Sequence, residues 1–329
     1  MSVARHHRYH CAGAGRQHGA ALLAAMLTVT LVATLAAAAL WQQWRNVEVE
    51  AAERARMQTG WLLMGAQDWA RLILREDARN GGADYLSEPW AVPLQESRLS
   101  SFLATGSDTS DAAQDAFLSG QIIDMQSRMN VLNLVEGDKI SPPDLASFGK
   151  LFDLLGLPPQ ELTLLAKNLR LAISPGTDQP DAPVMPQRVE QLTWLGVSAP
   201  SIEVLKPFIT VLPERTPVNL NTASPEVMFA SIAGLEMAEA QRLVLERSRS
   251  YFRSLADVNR ALTNVVGPLN FNQFSVATRY FEVRGRLRLE QTAVESRSLV
   301  QRDGLEVKTL WRDNDVISGA QSARTSSLQ

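Results

Sequence analysis

The sequence predicts an α+β fold: a long N-terminal helix, then strands, a helical block and further strands. Three observations carry this. An uncharged run opens into a helical pattern that lasts to the Gly81-Gly82 pair. The segment FSVATRYFEVRGRLRLE alternates at Phe281, Val283, Gly285, Leu287 and Leu289, the period of a half-buried strand. Between them, an apolar–Gly–apolar phrase recurs ahead of new helices. A chain of 329 residues, 45% hydrophobic and 20% charged, can build one large domain or two modest ones.

The first element is the run Ala20–Trp44, whose 25 residues include no ionisable side chain, no Pro and no Gly. About 20 apolar residues cross a hydrocarbon core as a helix, so the run is long enough. Arg5, Arg8 and Arg16 precede it without any acid, which places that end in the cytoplasm and the bulk of the chain outside it. Trp41 and Trp44 close the far end as interfacial anchors would. Three readings compete for this run. It is a signal peptide cut at LAAAAL, an uncut anchor, or a prepilin-type leader cut between Gly19 and Ala20 with the helix retained.

The rare residues bear on function. His6, His7, His10, His18 and Cys11 are the only histidines and the only cysteine, and all precede Gly19. A chain cut there has no Ser-His-Asp or Cys-His catalysis, no His/Cys zinc site and no disulfide. A hydrolase built on carboxylates alone has no motif here, so no catalytic residue is assigned and the chain reads as a non-enzyme. Losing Arg5, Arg8 and Arg16 from 32 basic residues leaves 29 against 35 acidic ones, near −6. That balance argues against a nucleic-acid partner.

Beyond Trp44, Val47, Ala51, Ala55, Leu62, Ala66, Trp69 and Ile73 recur at helical spacing and predict one apolar face turned to a soluble body. Two helices with a loop near Arg45 are the alternative. Residues 81–119 read as loops and short elements, and 121–125 as an irregular strand. ESRSLVQRDGLEVKTLW reads as two strands about an Asp303-Gly304 turn.

In the helical block, LLGLPPQELTLLAKNL, WLGVSAPSIEVLKPFI and IAGLEMAEAQRLVLE place Gly156, Gly196 and Gly234 at helix ends, where a left-handed backbone favours glycine. PVNLNTASPEVMFASIAGL and its continuation form a helix-hairpin-helix pattern, in which Asn219, Asn221 and Gly234 are structural candidates. Such hairpins can present backbone N–H groups to phosphate, and Arg242, Arg247, Arg249 and Arg253 lie close by in sequence. Glu236 and Glu239 on the hairpin oppose that use. An envelope-anchored DNA-binding protein of a DNA-uptake system is the alternative function.

Taken together, HGAALL, IIDMQSRMNVLNL, VEQLTWLGVSAPSIEVLKPFITVLPERTPVNLNTASPEV, FSVATRYFEVRGRLRLE and VKTLWR resemble the K-type minor pseudopilins of the type II secretion system, the GspK family. The resemblance spans nearly all of Gly19–Arg312; the long leader and a short proline-rich loop at Ser174–Pro186 depart from it. It implies a pilin-like fold with a large α-domain inserted into the sheet. The expected division is a leader at 1–19, a transmembrane helix at 20–44 and a stem at 45–80. A first strand region follows at 81–135, then the inserted domain at 136–267, closing strands at 268–312 and a polar tail at 313–329.

The resemblance also implies a non-enzymatic subunit at the tip of a periplasmic pseudopilus, single-pass in the inner membrane. It would start assembly of the pseudopilus that exports folded proteins. Its expected partners are the I-, J- and H-type pseudopilins and the prepilin peptidase, with methylation of the new N-terminus. Ordinary pilins carry glutamate at the fifth mature position, where this chain has Ala24. No cofactor is required. Some relatives bind Ca2+ through loop carboxylates, for which Asp108, Asp111 and Asp115, or Asp178 and Asp181, are weak candidates here, with a solvated acidic loop as the plainer reading.

Overall fold

The structure is a computed structural model and describes residues 18–98, 116–174, 182–262, 268–289 and 292–317. The chain divides into two compact units, Met1–Gly60 and Trp61–Gln329. Helix α1 runs from His18 to Asn80. Each residue of 20–44 is exposed, and mean hydropathy reaches 2.2 over an 18-residue window, so α1 is long and apolar enough to cross a membrane. Thr28, Thr30 and Thr34 donate to the carbonyls of Ala25, Leu27 and Leu31, each at 2.9 Å. Their hydroxyls are thereby satisfied inside the helix, as an apolar medium demands. Gly60 and Gly65 do not interrupt it. It ends where Gly81 and Gly82 take φ of 62° and 112°, a backbone cheap only for glycine.

The second unit holds a five-stranded sheet: β1 (Leu94–Arg98), β2 (Ala116–Asp124), β3 (Tyr280–Leu289), β4 (Thr292–Asp303) and β5 (Glu306–Ile317). These lie side by side in chain order, all antiparallel. Neighbours β2 and β3 pair from Ala116↔Leu289 to Asp124↔Phe281, so residues 125–279 are an insertion between adjacent strands. Three expectations change. The strand predicted at 121–125 runs from Ala116 to Asp124 and keeps one register with β3 throughout, while Met125 opens a 3-10 turn. The polar segment LQESR is edge strand β1. Residues 313–317, expected in the tail, continue β5, paired with 293–297; a backbone ladder does not require apolar side chains.

The α1 segment from Trp61 onward packs on this sheet through Leu63, Gln67, Ala70 and Leu74, all buried. Sequence periodicity places the stripe at Leu62, Ala66, Trp69 and Ile73, one residue out, or about 100° of helix rotation. Trp69 is in fact 49% exposed. Polar contacts fix the rotation. Gln67 Nε2 donates to Ser296 Oγ (2.6 Å), and Arg71 Nε and Nη2 donate to Val307 O (3.0 and 2.9 Å). Leu74, Trp90, Phe281, Val283, Val300 and Val307 form the core beneath, with Trp90 edge-on to Phe281 at 5.1 Å.

The insertion carries helices α2 (Pro142–Leu154), α3 (Pro159–Ile173), α4 (Ala199–Leu205), α5 (Pro225–Ser231), α6 (Met237–Arg249) and α7 (Leu255–Ala261). Gly156, Gly196 and Gly234 have φ of 67°, 94° and 75°, the left-handed ends that the repeated phrase predicts. Ser198 and Ser224 accept from the backbone N–H three residues on, capping α4 and α5. The core of this block reaches past 136–267 in both directions, from Met129 to Phe274. Two short parallel pairings, 129–130 with 209–210 and 218–219 with 274–275, close it at its base.

Candidate functional site

The phrase TPVNLNTASP crosses from the helical block to the sheet, and Thr216, Asn219, Asn221 and Thr222 are buried there. Asn219 Nδ2 donates to Asp124 Oδ2 (2.9 Å) at the end of β2 and to Asp84 O (3.1 Å). Its Oδ1 accepts from Asn221 N (3.0 Å). Asn221 exchanges two bonds with the Phe252 backbone, at 2.8 and 2.9 Å. Thr222 Oγ1 donates to Asp124 Oδ2 (2.6 Å), and Gln126 N to Asp124 Oδ1 (2.7 Å). Burial raises the Asp124 carboxyl above its ordinary range, and these donors act against it.

Next to this network, Arg302 at the end of β4 reaches Asp77 of α1 and Asp84, both at 2.5 Å. The same guanidinium donates to Thr278 O (2.9 Å), and Thr278 N donates to Asp84 Oδ2 (2.7 Å). Burial pushes Asp84 up to about 6, against the pull of Arg302 and Thr278. Glu88 is pushed up to about 7, again by burial, although Tyr85 N–H and the Trp90 indole both donate to it. The Asp77, Asp84 and Glu88 carboxylates approach within 4.8 Å of one another, a spacing that can hold a metal ion. Arg302 supplies positive charge to two of them. Each group is engaged by its neighbours, so the chemistry suits fastening the end of α1, the sheet and the insertion together.

The hairpin between α5 and α6 turns at Gly234. Nearby, Arg242 pairs with Glu239 (3.0 Å) and donates to Ala261 O (2.8 Å). Arg247 donates to Leu220 O (2.7 Å) and is pushed down to about 10 by burial. These two arginines hold the fold; Arg249 and Arg253 are exposed. Asn219 and Asn221 sit together in the seam below the hairpin.

Gly19, Ala20 and Ala24 lie in the first two turns of α1, with Ala20 and Ala24 exposed. Asp108, Asp111, Asp115, Asp178 and Asp181 fall outside the described residues. On α1, Trp61, Gly65, Trp69 and Leu72 share the side opposite Leu63 and Leu74. Trp61 and Leu72 are 70% and 54% exposed, an apolar ridge of the kind that marks a contact surface. Beside it, an apolar cavity of about 210 Å³ opens between Trp69, Trp90, Val92, Leu94 and Ile122.

Sequence reasoning did not find Arg302, Asp84, Glu88 or the α1 ridge. The one local signal was the Arg-Asp-Gly triplet at 302–304, which reads as a turn and says nothing of a partner on α1.

Two family profiles described as "Type II secretion system (T2SS), protein K" match residues 127–214 and 218–276. The type II secretion system protein K of Pseudomonas aeruginosa is 27% identical over 330 residues, covering 91% of this chain and 90% of that one. That of Pectobacterium carotovorum subsp. carotovorum is 24% identical over 335 residues, covering 90% and 96%. In fold, the chain is similar to one in the crystal structure of the GspK-GspI-GspJ complex from the enterotoxigenic Escherichia coli type 2 secretion system. The TM-score is 0.58 at 17% identity, over 80% of this chain and 98% of that one. The profiles meet at the phrase that stitches insertion to sheet, and the relatives match along nine-tenths of the length: the chain is similar from end to end to type II secretion system protein K.

Proposed function

We propose that this chain is a minor pseudopilin that stands at the tip of the type II secretion pseudopilus and starts its assembly with I- and J-type partners. The observation that carries the reading is the division of labour along α1. A membrane-length apolar stretch leads into a segment with one face on the sheet and an apolar ridge facing out. A helix so divided can leave the bilayer and pack against the helices of neighbouring subunits. The structural relative comes from a complex of K-, I- and J-type proteins, which supports the choice of partners. Processing between Gly19 and Ala20 would free Ala20 as the new N-terminus, with the arginine-flanked end cytoplasmic and the rest periplasmic.

Ala24 supports the tip position. A lone charged group in hydrocarbon costs roughly 2.5–3.5 kcal/mol on insertion scales. The first subunit has no neighbour ahead whose amine could offset that cost, so an uncharged fifth residue suits it.

Mass spectrometry of chain isolated from membranes is expected to give an N-terminus at methylated Ala20. An intact leader, or a start after LAAAAL, counts against the reading. Trp61→Glu, on the exposed ridge, is expected to leave the melting curve of the subunit unchanged and to abolish co-purification with the I- and J-type proteins. Normal recovery of the complex from that variant overturns the ridge as the contact surface.

A further inference from the structure

Of the four tyrosines, Tyr9 precedes Gly19; the other three are Tyr85, Tyr251 and Tyr280. Two of these three stand face to face. The rings of Tyr85 and Tyr251 are 3.8 Å apart between centroids and 3° from parallel. Aromatic pairs prefer an offset or edge-on arrangement with centroids about 4.5–7 Å apart, so the fold holds this pair closer and flatter than the rings choose for themselves. The backbone on each side supplies the hold. Tyr85 N donates to Glu88 (2.9 Å), and Asp84 N, one residue before, donates to Val276 O (2.9 Å). Phe252 N, one residue after Tyr251, donates to Asn221 Oδ1 (2.9 Å). One ring thus belongs to the segment between α1 and β1, the other to the turn between α6 and α7 of the insertion.

Both rings are half-buried, so a small reagent in solution can reach them. Tyr280 differs: it is buried, and its hydroxyl donates to Glu214 (2.7 Å). A phenol that loses an electron and a proton becomes a radical whose spin lies on the oxygen, the para carbon and the two ortho carbons. In tyrosine the para carbon already carries the side chain, which leaves the ortho carbons for bond formation. Two parallel rings at this separation overlap. Whatever the rotation of one over the other, an ortho carbon of the first is then no more than one ring position from an ortho carbon of the second.

We propose that Tyr85 and Tyr251 form an oxidative cross-linking site, where a one-electron oxidant from solution joins the two rings as dityrosine. Each phenol gives one electron to the oxidant and one proton to water. The two radicals form a carbon–carbon bond between ortho carbons, and the hydrogens on those carbons shift to the phenolic oxygens. Two electrons and two protons leave in all. The product is a covalent staple between the segment after α1 and the insertion, in a chain that, once cut after Gly19, has no cysteine for a disulfide. The site rests on neither the stem ridge nor the tip assignment, since both tyrosines lie in the second unit.

Photo-oxidation of the full-length chain in detergent, with a ruthenium tris-bipyridyl complex and persulfate as the oxidant, tests it. The monomer is expected to gain dityrosine fluorescence and to yield a linked pair of peptides carrying Tyr85 and Tyr251, lighter by two hydrogen atoms than their sum. The yield is expected to be independent of protein concentration, as a link within one chain requires, and the Tyr280 peptide is expected to stay unlinked. Tyr85→Phe and Tyr251→Phe keep the stacked ring and remove one phenol each, and each is expected to abolish the link. The linked monomer is expected to melt at least roughly 5 °C above the unlinked one, because the link removes loop-closure entropy from the unfolded chain. Coupling that includes Tyr280, links only between chains, or no Tyr85–Tyr251 product overturns the site; a link that leaves the melting temperature unchanged overturns the staple.

Discussion

Arg302 is the residue on which the second unit turns, because one guanidinium serves carboxylates from α1 and from the segment after it. Removing one member of a buried ion pair leaves an uncompensated charge and costs about 3–5 kcal/mol. Arg302→Gln is therefore expected to lose stability of that order in urea denaturation; a loss below 1 kcal/mol would show that water already serves Asp77 and Asp84. The acids around it make stability depend on pH. The Glu88 carboxyl sits at about 7 against 4.5 for the free group, and Asp84 at about 6 against 3.8. The folded chain thus holds these protons more tightly than the unfolded chain does. Stability from this source falls as pH rises between about 4 and about 7, and returns on acidification through the same window. Glu88→Gln keeps an acceptor for Tyr85 N–H and the Trp90 indole while removing the titration. The gain in melting temperature between pH 8 and pH 5 is expected to be smaller in that variant; an unchanged gain would falsify the linkage. None of this was legible in sequence, since Arg302 and Asp77 stand 225 positions apart.

Among the elements, legibility followed the range of the interaction. The three glycines of the repeated phrase were found because a helix end states its needs within a few residues, and all three have positive φ. At Gly234 a Cβ would meet nothing within 4 Å, so any cost of substitution there is backbone strain alone. Gly234→Val is expected to destabilise by roughly 1–2 kcal/mol, and Gly234→Asn by less, as chemical denaturation can measure. Equal losses would place the cost in packing instead. The stripe of α1 was legible to within one residue and no better. Apolar periodicity defines a broad arc, whereas the rotation of the helix is set by Gln67 on Ser296 and Arg71 on Val307 O. The far face of β3 shows the same limit. Its alternation predicts polar residues in water, yet Tyr280 and Glu282 are buried there. Tyr280 Oη donates to Glu214 (2.7 Å) of the insertion, so the cover comes from residues far away in the chain.

At the scale of the whole molecule, the long apolar stretch of the first unit and the folded second unit are expected to make separable contributions. Ala24→Glu is expected to leave the urea midpoint of the second unit unchanged, because position 24 lies in the other unit. It is also expected to reduce the amount of complex recovered with the I- and J-type proteins; full recovery would remove Ala24 from the argument for a tip position. By itself the sequence determined the kinds of element and their order: a membrane-length helix, alternating strands around an Asp-Gly turn, and glycine-ended helices. Each of these needs only local backbone preference and the spacing of apolar residues, which a linear reading carries. The tertiary structure decided which side of α1 meets the sheet, that β2 and β3 are neighbours across the insertion, and that Asn219, Asp84 and Arg302 meet. Those are pairings of buried polar groups across long stretches of chain, and such a group is specified by its partner, whose place is known only once the chain has folded.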